Sequence, residues 1–272
     1  MSVDAYGVTS TGKVRENNED HFVIATLRKA VDLGQTSLEN GLIAGRVRES
    51  AAHLFVVADG VGGHTGGELA SGAAVECLLE YVAQASGCFH DLGVDQENEF
   101  LERLEAGIHR AHERIQKELG EAGEAPSTTL TLAALIGQRV YLVHVGDSRA
   151  YYLDRGRLRQ LTRDQTMGEY LVDAGAWTEE TAAQARTAGN LISTVGGAEM
   201  TPSIGLVDLT PGDVLLLCTD GLTKHVADPQ IAEVLGKSRT AHEISKELLD
   251  LALAGGGTDN ITVVVAKLGR SE

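Results

Sequence analysis

Residues 54–64 read LFVVADGVGGH. The mostly apolar run 54–58 has the pattern of a short buried strand that ends on Asp59, and Gly60, Gly62 and Gly63 follow at once. A carboxylate at the end of a strand is held by its sheet, and adjacent glycines let backbone atoms approach closely. The arrangement recurs. Residues 214–221 read VLLLCTDG and deliver Asp220, residues 140–147 read VYLVHVGD and deliver Asp147, and Asp259 opens DNITVVV. A single Asp-Gly pair is usually a hairpin turn. Four aspartates at the mouths of four strong strand patterns are better explained as a shared site, and carboxylate oxygens in such a set suit a hard divalent cation. Hairpins also leave Gly62-Gly63-His64 and the Thr258-Asp259-Asn260 triplet unexplained.

Along the chain, 3–9 and 22–27 have strand patterns, and the polar segment 10–22 between them carries Arg15, Glu19 and Asp20. Such a loop is ordinarily a solvated hairpin. Arg15 has the alternative of gripping an oxyanion, since guanidinium offers paired donors. Residues 28–52 are irregular and read as a long surface excursion. Apolar residues then recur at helical spacing over 69–85 and 101–119. His109 and His112 lie beside the second stripe with no third ligand, so they are expected to be surface polar residues. From 128 a meander of strands follows at 128–136, 140–147, 148–153 and 158–162, with His144 inside one of them as a core residue. Residues 163–190 break the strand run with two short helical patterns around Trp177 and read as an inserted flap. Strands at 204–209 and 213–219, helices at 229–235 and 241–253, and a strand at 260–268 complete the chain.

The helices are grouped rather than alternating with the strands, which argues for an α+β fold with antiparallel sheets. The runs at 54–58, 214–218 and 261–265 are apolar on both faces. Strands of that kind belong inside two sheets packed as a sandwich and flanked by helices, an α-β-β-α four-layer arrangement. With 272 residues and no linker or repeat, the chain is expected to be one domain, 1–272, with the flap at about 163–190. No apolar run approaches 18 residues, so no membrane segment is expected, and the opening MSVDAYGVTS lacks the pattern of a signal peptide. The three cysteines, Cys77, Cys88 and Cys218, are odd in number and widely spaced, and Cys77 and Cys218, within apolar runs, read as reduced buried cysteines of a cytoplasmic protein. A formal charge of −16 without a basic stripe argues against nucleic acid as a partner. A monomer is the default.

Taken in order, RENNED (15–20), ADGVGG (58–63), VGDSRAY (145–151), CTDGLT (218–223) and GTDNIT (257–262) resemble the metal-dependent protein phosphatase family of the 2C type, most closely its bacterial serine/threonine phosphatases. The resemblance covers about residues 3–268. It implies a sandwich of two antiparallel sheets with two Mn²⁺ or Mg²⁺ ions at one end, which would hydrolyse phosphoserine and phosphothreonine in a protein substrate, opposing a serine/threonine kinase. By that resemblance Asp59 would bridge the ions, the Gly60 carbonyl would bind one, and Asp220 and Asp259 would complete the second. Arg15 would hold phosphate, Glu19 and Asp20 would order water on the ions, and Asp147 would serve a third ion. The chemistry agrees, because paired divalent ions supply a nucleophile from water at neutral pH and cancel phosphoryl charge.

Three positions depart from the family pattern. Val61 stands where some relatives have a histidine acid, which leaves His64 as a candidate for protonating the leaving group. Lys224 stands where many carry an acid, so the third ion is expected to be weak or absent. Thr194 replaces an arginine common in bacterial relatives. The competing reading, a catalytically silent phosphatase-like regulatory or binding module, predicts loss of a core carboxylate, and none is missing.

Overall fold

The computed structural model describes residues 2–28, 51–62, 66–85, 94–119 and 126–269. The expected excursion at 28–52 falls largely outside the described residues, as do His64 and Cys88. Strands β1 (Ser2–Ser10), β2 (Asp20–Arg28) and β3 (Ala51–Val61) come first, followed by helices α1 (Gly66–Ala85) and α2 (Val94–Leu119). The meander comprises β4 (Ser127–Thr128), β5 (Leu130–Ile136), β6 (Arg139–Val145), β7 (Arg149–Asp154) and β8 (Arg157–Gln160). Helices α3 (Met167–Asp173) and α4 (Glu179–Gln184) precede β9 (Ser203–Asp208) and β10 (Val214–Cys218). The chain closes through α5 (Asp220–Thr223), α6 (Asp228–Leu235), α7 (Ala241–Ala254) and β11 (Ile261–Gly269).

The strands form two antiparallel sheets, ordered β1-β11-β10-β7-β8 and β2-β3-β5-β6-β9, with β4 paired to β3. The three runs that are apolar on both faces are interior strands: β3 lies between β2 and β5, and β10 and β11 lie side by side. Their alternate residues serve two different cores, as the two-residue period of a strand requires. Phe55 and Val57 of β3, Leu215 and Leu217 of β10, and Val264 and Ala266 of β11 fill the space between the sheets. Leu54 and Val56 face the opposite way, onto α1 and α2. Leu216 of β10 and Val263 and Val265 of β11 pack with residues of α6 and α7. Three buried layers between four structural layers are the α-β-β-α arrangement read from the pattern.

The differences from expectation are local. Thr129 interrupts the strand expected over 128–136, leaving β4 as a separate bridge to β3. Helices α1 and α2 begin three and seven residues earlier than their apolar stripes, because a stripe marks only the buried face. The four-residue α5 is too short to carry a period that the sequence could show. His112 is more than a surface residue: its Nδ1 accepts the Gly196 amide at 2.9 Å, tying α2 to the turn before β9. His144 is buried as expected, its ring partnered by the Thr131 hydroxyl at 2.8 Å and the Arg163 carbonyl at 3.1 Å. Cys77 and Cys218 are buried free thiols. Among the described residues no helix is long and apolar enough to cross a membrane.

Antiparallel pairing also settles where the aspartates go. β3 and β6 both pair antiparallel to β5, so they run in the same direction and their C-terminal ends share one edge. β2 begins where β3 ends, and β11 begins where β10 ends. Asp20, Asp59, Asp147, Asp220 and Asp259 therefore all fall at one end of the sandwich.

The layered core sets a stability contrast. Phe55→Ala, which empties a fully buried site between the sheets, is expected to destabilise the fold by about 3–5 kcal/mol. Leu206→Ser on edge strand β9, 53% exposed, is expected to change stability by less than about 0.5 kcal/mol. Urea midpoints for the two variants against wild type measure the difference, and comparable losses would refute the placement of Phe55 between the sheets.

Candidate active site

A cleft of about 440 Å³ opens at that end. Asp59, Gly60, Asp147, Asp220 and Asp259 line it, as do Arg15 and Glu19 from the loop between β1 and β2. Gly189 and Leu191, from the stretch between β8 and β9, complete its rim. His64 lies outside the described residues, so its candidacy is not addressed by this geometry.

Asp59 is fixed by its backbone. Its amide donates to Thr129 Oγ1 at 3.0 Å, and its carbonyl accepts the Thr128 hydroxyl at 2.8 Å and the Thr129 amide at 2.9 Å. Ser148 lies 2.8 Å from the same Thr129 hydroxyl. The break between β4 and β5 thus provides the clamp on this carboxylate. Gly60 is required for a related reason: a Cβ there would overlap the backbone carbonyl of Gly67 at the start of α1. The glycine-rich turn lets two backbones cross beside Asp59, a close approach of chain to chain.

Asn260 organises the opposite wall. Its Oδ1 accepts the Glu19 amide at 2.8 Å, while its Nδ2 donates to the carbonyls of Asn17 at 2.8 Å and Thr11 at 3.2 Å. The loop that carries Arg15 and Glu19 is therefore held on the residue next to Asp259. The Glu19 carbonyl in turn accepts the Gly60 amide at 3.1 Å and the Ser71 hydroxyl at 2.6 Å.

Asp20 stands directly across from Asp59 in the β2–β3 ladder, but it lies below the cleft rather than in its lining. Its Oδ2 accepts hydroxyl groups from Thr262 at 2.7 Å and Thr219 at 2.9 Å, which join the two sheets through one carboxylate. Its Oδ1 is buried without a partner, and so is Oδ1 of Asp220. Buried carboxylate oxygens in this condition are costly.

The electrostatics follow. Burial pushes Asp20 up to about 7, against the two hydroxyl donors and with help from Asp220 and Asp259. Burial, then Asp220 and Asp164, raises Asp147 to about 7. Burial and the surrounding aspartates, Asp20 first, hold Asp59 well above the carboxylate range. Burial raises Asp220 too, in spite of Lys224. Asp259 is the exception. Burial alone would raise it, but Lys224 and Arg15 outweigh burial and lower it. Arg15 grips Asp259 with its fork, Nε to Oδ1 at 2.7 Å and Nη2 to Oδ2 at 3.1 Å. Lys224 Nζ lies 2.6 Å from Asp220 Oδ2 and 2.8 Å from Asp259 Oδ2, joining the two carboxylates.

An all-oxygen donor set with raised acids and unpartnered oxygens fits hard divalent cations such as Mg²⁺ and Mn²⁺. Among the described residues, no three acidic, histidine or cysteine side chains converge as a closed ion-holding set, and where Asp220 and Asp259 come together the bridging cation is Lys224. Of the residues singled out in the sequence, Asp59, Asp147, Asp220, Asp259, Arg15 and Glu19 line the cleft, and Asp20 does not. Sequence reasoning passed over Thr129 and Asn260, whose contribution is to hold loops in place, and it did not foresee that Lys224 would bridge two aspartates.

A family model described as protein phosphatase 2C matches residues 43–251. The serine/threonine protein phosphatase PstP of Mycobacterium tuberculosis is 36% identical over 233 residues, 84% of this chain and 43% of that protein. The chain thus spans less than half the length of that relative. Protein phosphatase PhpP of Streptococcus pneumoniae is 31% identical over 248 residues, 89% of this chain and 96% of the relative. Among solved structures, the Streptococcus agalactiae serine/threonine phosphatase superposes with a TM-score of 0.82 at 28% identity, covering 98% of this chain and all of the other. The catalytic domain of PstP in complex with two manganese ions superposes with a TM-score of 0.75 at 31% identity, covering 98% and 99%.

The raised acids set a pH dependence. Asp20, near 7 in the folded chain and about 3.9 when unfolded, binds a proton on folding between those values, so its contribution to stability falls as pH rises through that window. In EDTA, wild type is expected to gain on the order of 2–4 kcal/mol relative to Asp20→Asn between about pH 8 and pH 4. Urea unfolding of both proteins at stepped pH measures it, and a constant difference would show that Asp20 titrates as an ordinary carboxylate.

Proposed function

This chain belongs to the protein phosphatase 2C family, and from that membership together with the acidic cleft we propose that it is a metal-dependent phosphoserine/phosphothreonine protein phosphatase. The observation that carries the reading is the gathering of Asp59, Asp147, Asp220 and Asp259 at one edge of the sandwich, with buried carboxylate oxygens left unpartnered beside them. We assign Asp59 and the Gly60 carbonyl to the first of two ions, with Asp59 shared, and Asp220 and Asp259 to the second. Manganese in the PstP structure supports Mn²⁺, and the oxygen ligands suit Mg²⁺ equally. Such ions, when bound, acidify water and cancel charge on phosphoryl oxygens.

The rest of the work falls to the chain. Thr128 and Thr129 keep the Asp59 backbone from shifting, so its carboxylate direction is set before substrate arrives. Arg15, 56% exposed at its side chain, offers a phosphate the same paired N–H groups it now gives Asp259. With Val61 after Asp59-Gly60, no histidine stands at that position to protonate the leaving alcohol. Gly189 and Leu191 bring the segment we read as a flap, about 163–190 within one catalytic unit of 1–272, to the cleft rim, where a substrate's polypeptide would pass. The partner we assign is a phosphorylated protein, made by a serine/threonine kinase.

The silent-module alternative loses ground because each carboxylate of the proposed set is present and faces the cleft. Turnover of p-nitrophenyl phosphate and of a phosphothreonine peptide should appear with Mn²⁺ or Mg²⁺ and vanish with EDTA. Asp220→Ala should lower kcat by at least about a hundredfold, the order lost when transition-state charge stabilisation is removed. Absence of turnover with either metal would favour the binding module, and equal efficiency on peptide and small ester would remove the claim of a protein substrate.

A further inference from the structure

Lys224 occupies a chemical position that the proposed function does not use. It sits at the C-terminal cap of α5, one turn after Asp220, and its half-exposed ammonium contacts one oxygen of each of two carboxylates that arrive from different strands. Asp220 follows β10 and Asp259 precedes β11, so the contact closes the cleft wall across 35 residues of sequence. These are the two carboxylates assigned above to the second ion. An ammonium is a single positive charge with three donors, and a carboxylate oxygen already bonded to it at 2.6–2.8 Å has little to offer a dication arriving from the same side. Among the described residues Asp59, in contrast, makes no ion pair with a lysine or arginine, and burial and the neighbouring acids dominate its environment.

We propose that Lys224 is a tethered competitor for the second ion: the ammonium that joins Asp220 to Asp259 must leave before those carboxylates can share a divalent cation, so the two ions load in order and the second binds weakly. The proposal rests on the metal-dependent reading. It adds that one side chain widens the asymmetry between the ions. Mutual repulsion between two dications already separates their affinities in any such pair, and the lysine adds a second, removable contribution to that gap. Arg15 does not duplicate it, because its fork bonds Asp259 alone and acts on Asp220 only through its charge, without bridging the two carboxylates.

Isothermal titration calorimetry with MnCl₂ on the EDTA-treated, desalted chain of 272 residues tests this without reference to turnover. Wild type should show two sites of unequal affinity. Lys224→Met should tighten the weaker site by about tenfold while leaving the tighter one within about twofold, since a unit charge in contact with the ligands is removed from that site only. Lys224→Arg, which keeps the charge, should retain the weak site. Identical isotherms for wild type and Lys224→Met, or weaker binding in the variant, would overturn the competitor role while leaving the metal-dependent reading intact. No Mn²⁺ binding by either protein would overturn both. Should Lys224→Met fail to fold, wild type alone decides the matter: acetylation of Lys224 by an N-hydroxysuccinimide ester, read by peptide mass spectrometry against exposed Lys246, should rise at saturating Mn²⁺ as the ammonium is released. Unchanged or reduced labelling would refute the displacement.

Discussion

Like charges crowd together where the two sheets meet, and much of this structure answers that repulsion. Asp20 and Asp59 face each other across one ladder, Asp220 and Asp259 come in from the other sheet, and Asp147 closes the ring. Placed in a partly desolvated pocket, such a set has three ways to relieve itself: take up protons, recruit cations from the chain, or bind cations from solution. All three are visible or implied. Asp20, Asp59 and Asp147 are pushed toward the protonated form, Asp259 is held ionised by Lys224 and Arg15, and Asp20 and Asp220 keep an unpartnered oxygen each. An enzyme that needs divalent ions cannot neutralise its own ligands too well, because every internal partner must be displaced on loading.

The scaffold tolerates this because its stability comes from elsewhere. Three apolar layers lie between the four structural layers, and the interior strands feed two of them at once through their alternating faces. Burial on that scale, at roughly 25 cal/mol per Å² of apolar surface, leaves room for a strained polar edge. The edge is then held by short polar links: Thr219 and Thr262 on Asp20, Thr128 and Thr129 on Asp59, and Asn260 on the Arg15 loop. Each link joins segments far apart in sequence, so the aspartates are placed by the sheets and trimmed by threonine and asparagine.

Legibility in the sequence divides along the same line. Periodicity revealed the interior strands, since a run apolar on both faces has few other homes, and the family-like motifs located Asp59, Asp147, Asp220, Asp259 and Arg15. The flap helices were legible as two short helical patterns around Trp177 that interrupt the strands, and in the structure Thr166 and Thr178 cap them. What stayed hidden has no local signature. Thr129 looks like any strand threonine until β4 separates from β5, and Asn260 reads as part of a turn until its amide is seen spanning two carbonyls and an N–H. His112 looked like a polar residue beside a stripe because the amide it accepts lies 84 residues away. Asp20, expected to order water on the ions, stands across the ladder from Asp59 but outside the cleft lining, and its Oδ2 accepts hydroxyls of the other sheet.

Lys224 shows why motif identity and site behaviour can part company. In sequence it is one residue after CTDGLT, at a position where many relatives carry an acid. In the fold, the turn of α5 places its ammonium within contact of the aspartate four residues earlier, and the antiparallel pairing of β10 with β11 brings Asp259 to the same spot. The i,i+4 contact alone would be a surface pair of small worth. Its consequence comes from the second carboxylate, because a cation shared by two acids of a metal site competes with the metal itself. Two chains with the same aspartates can therefore differ in how they fill with ions, and the difference lies in the cations that the fold brings to those aspartates.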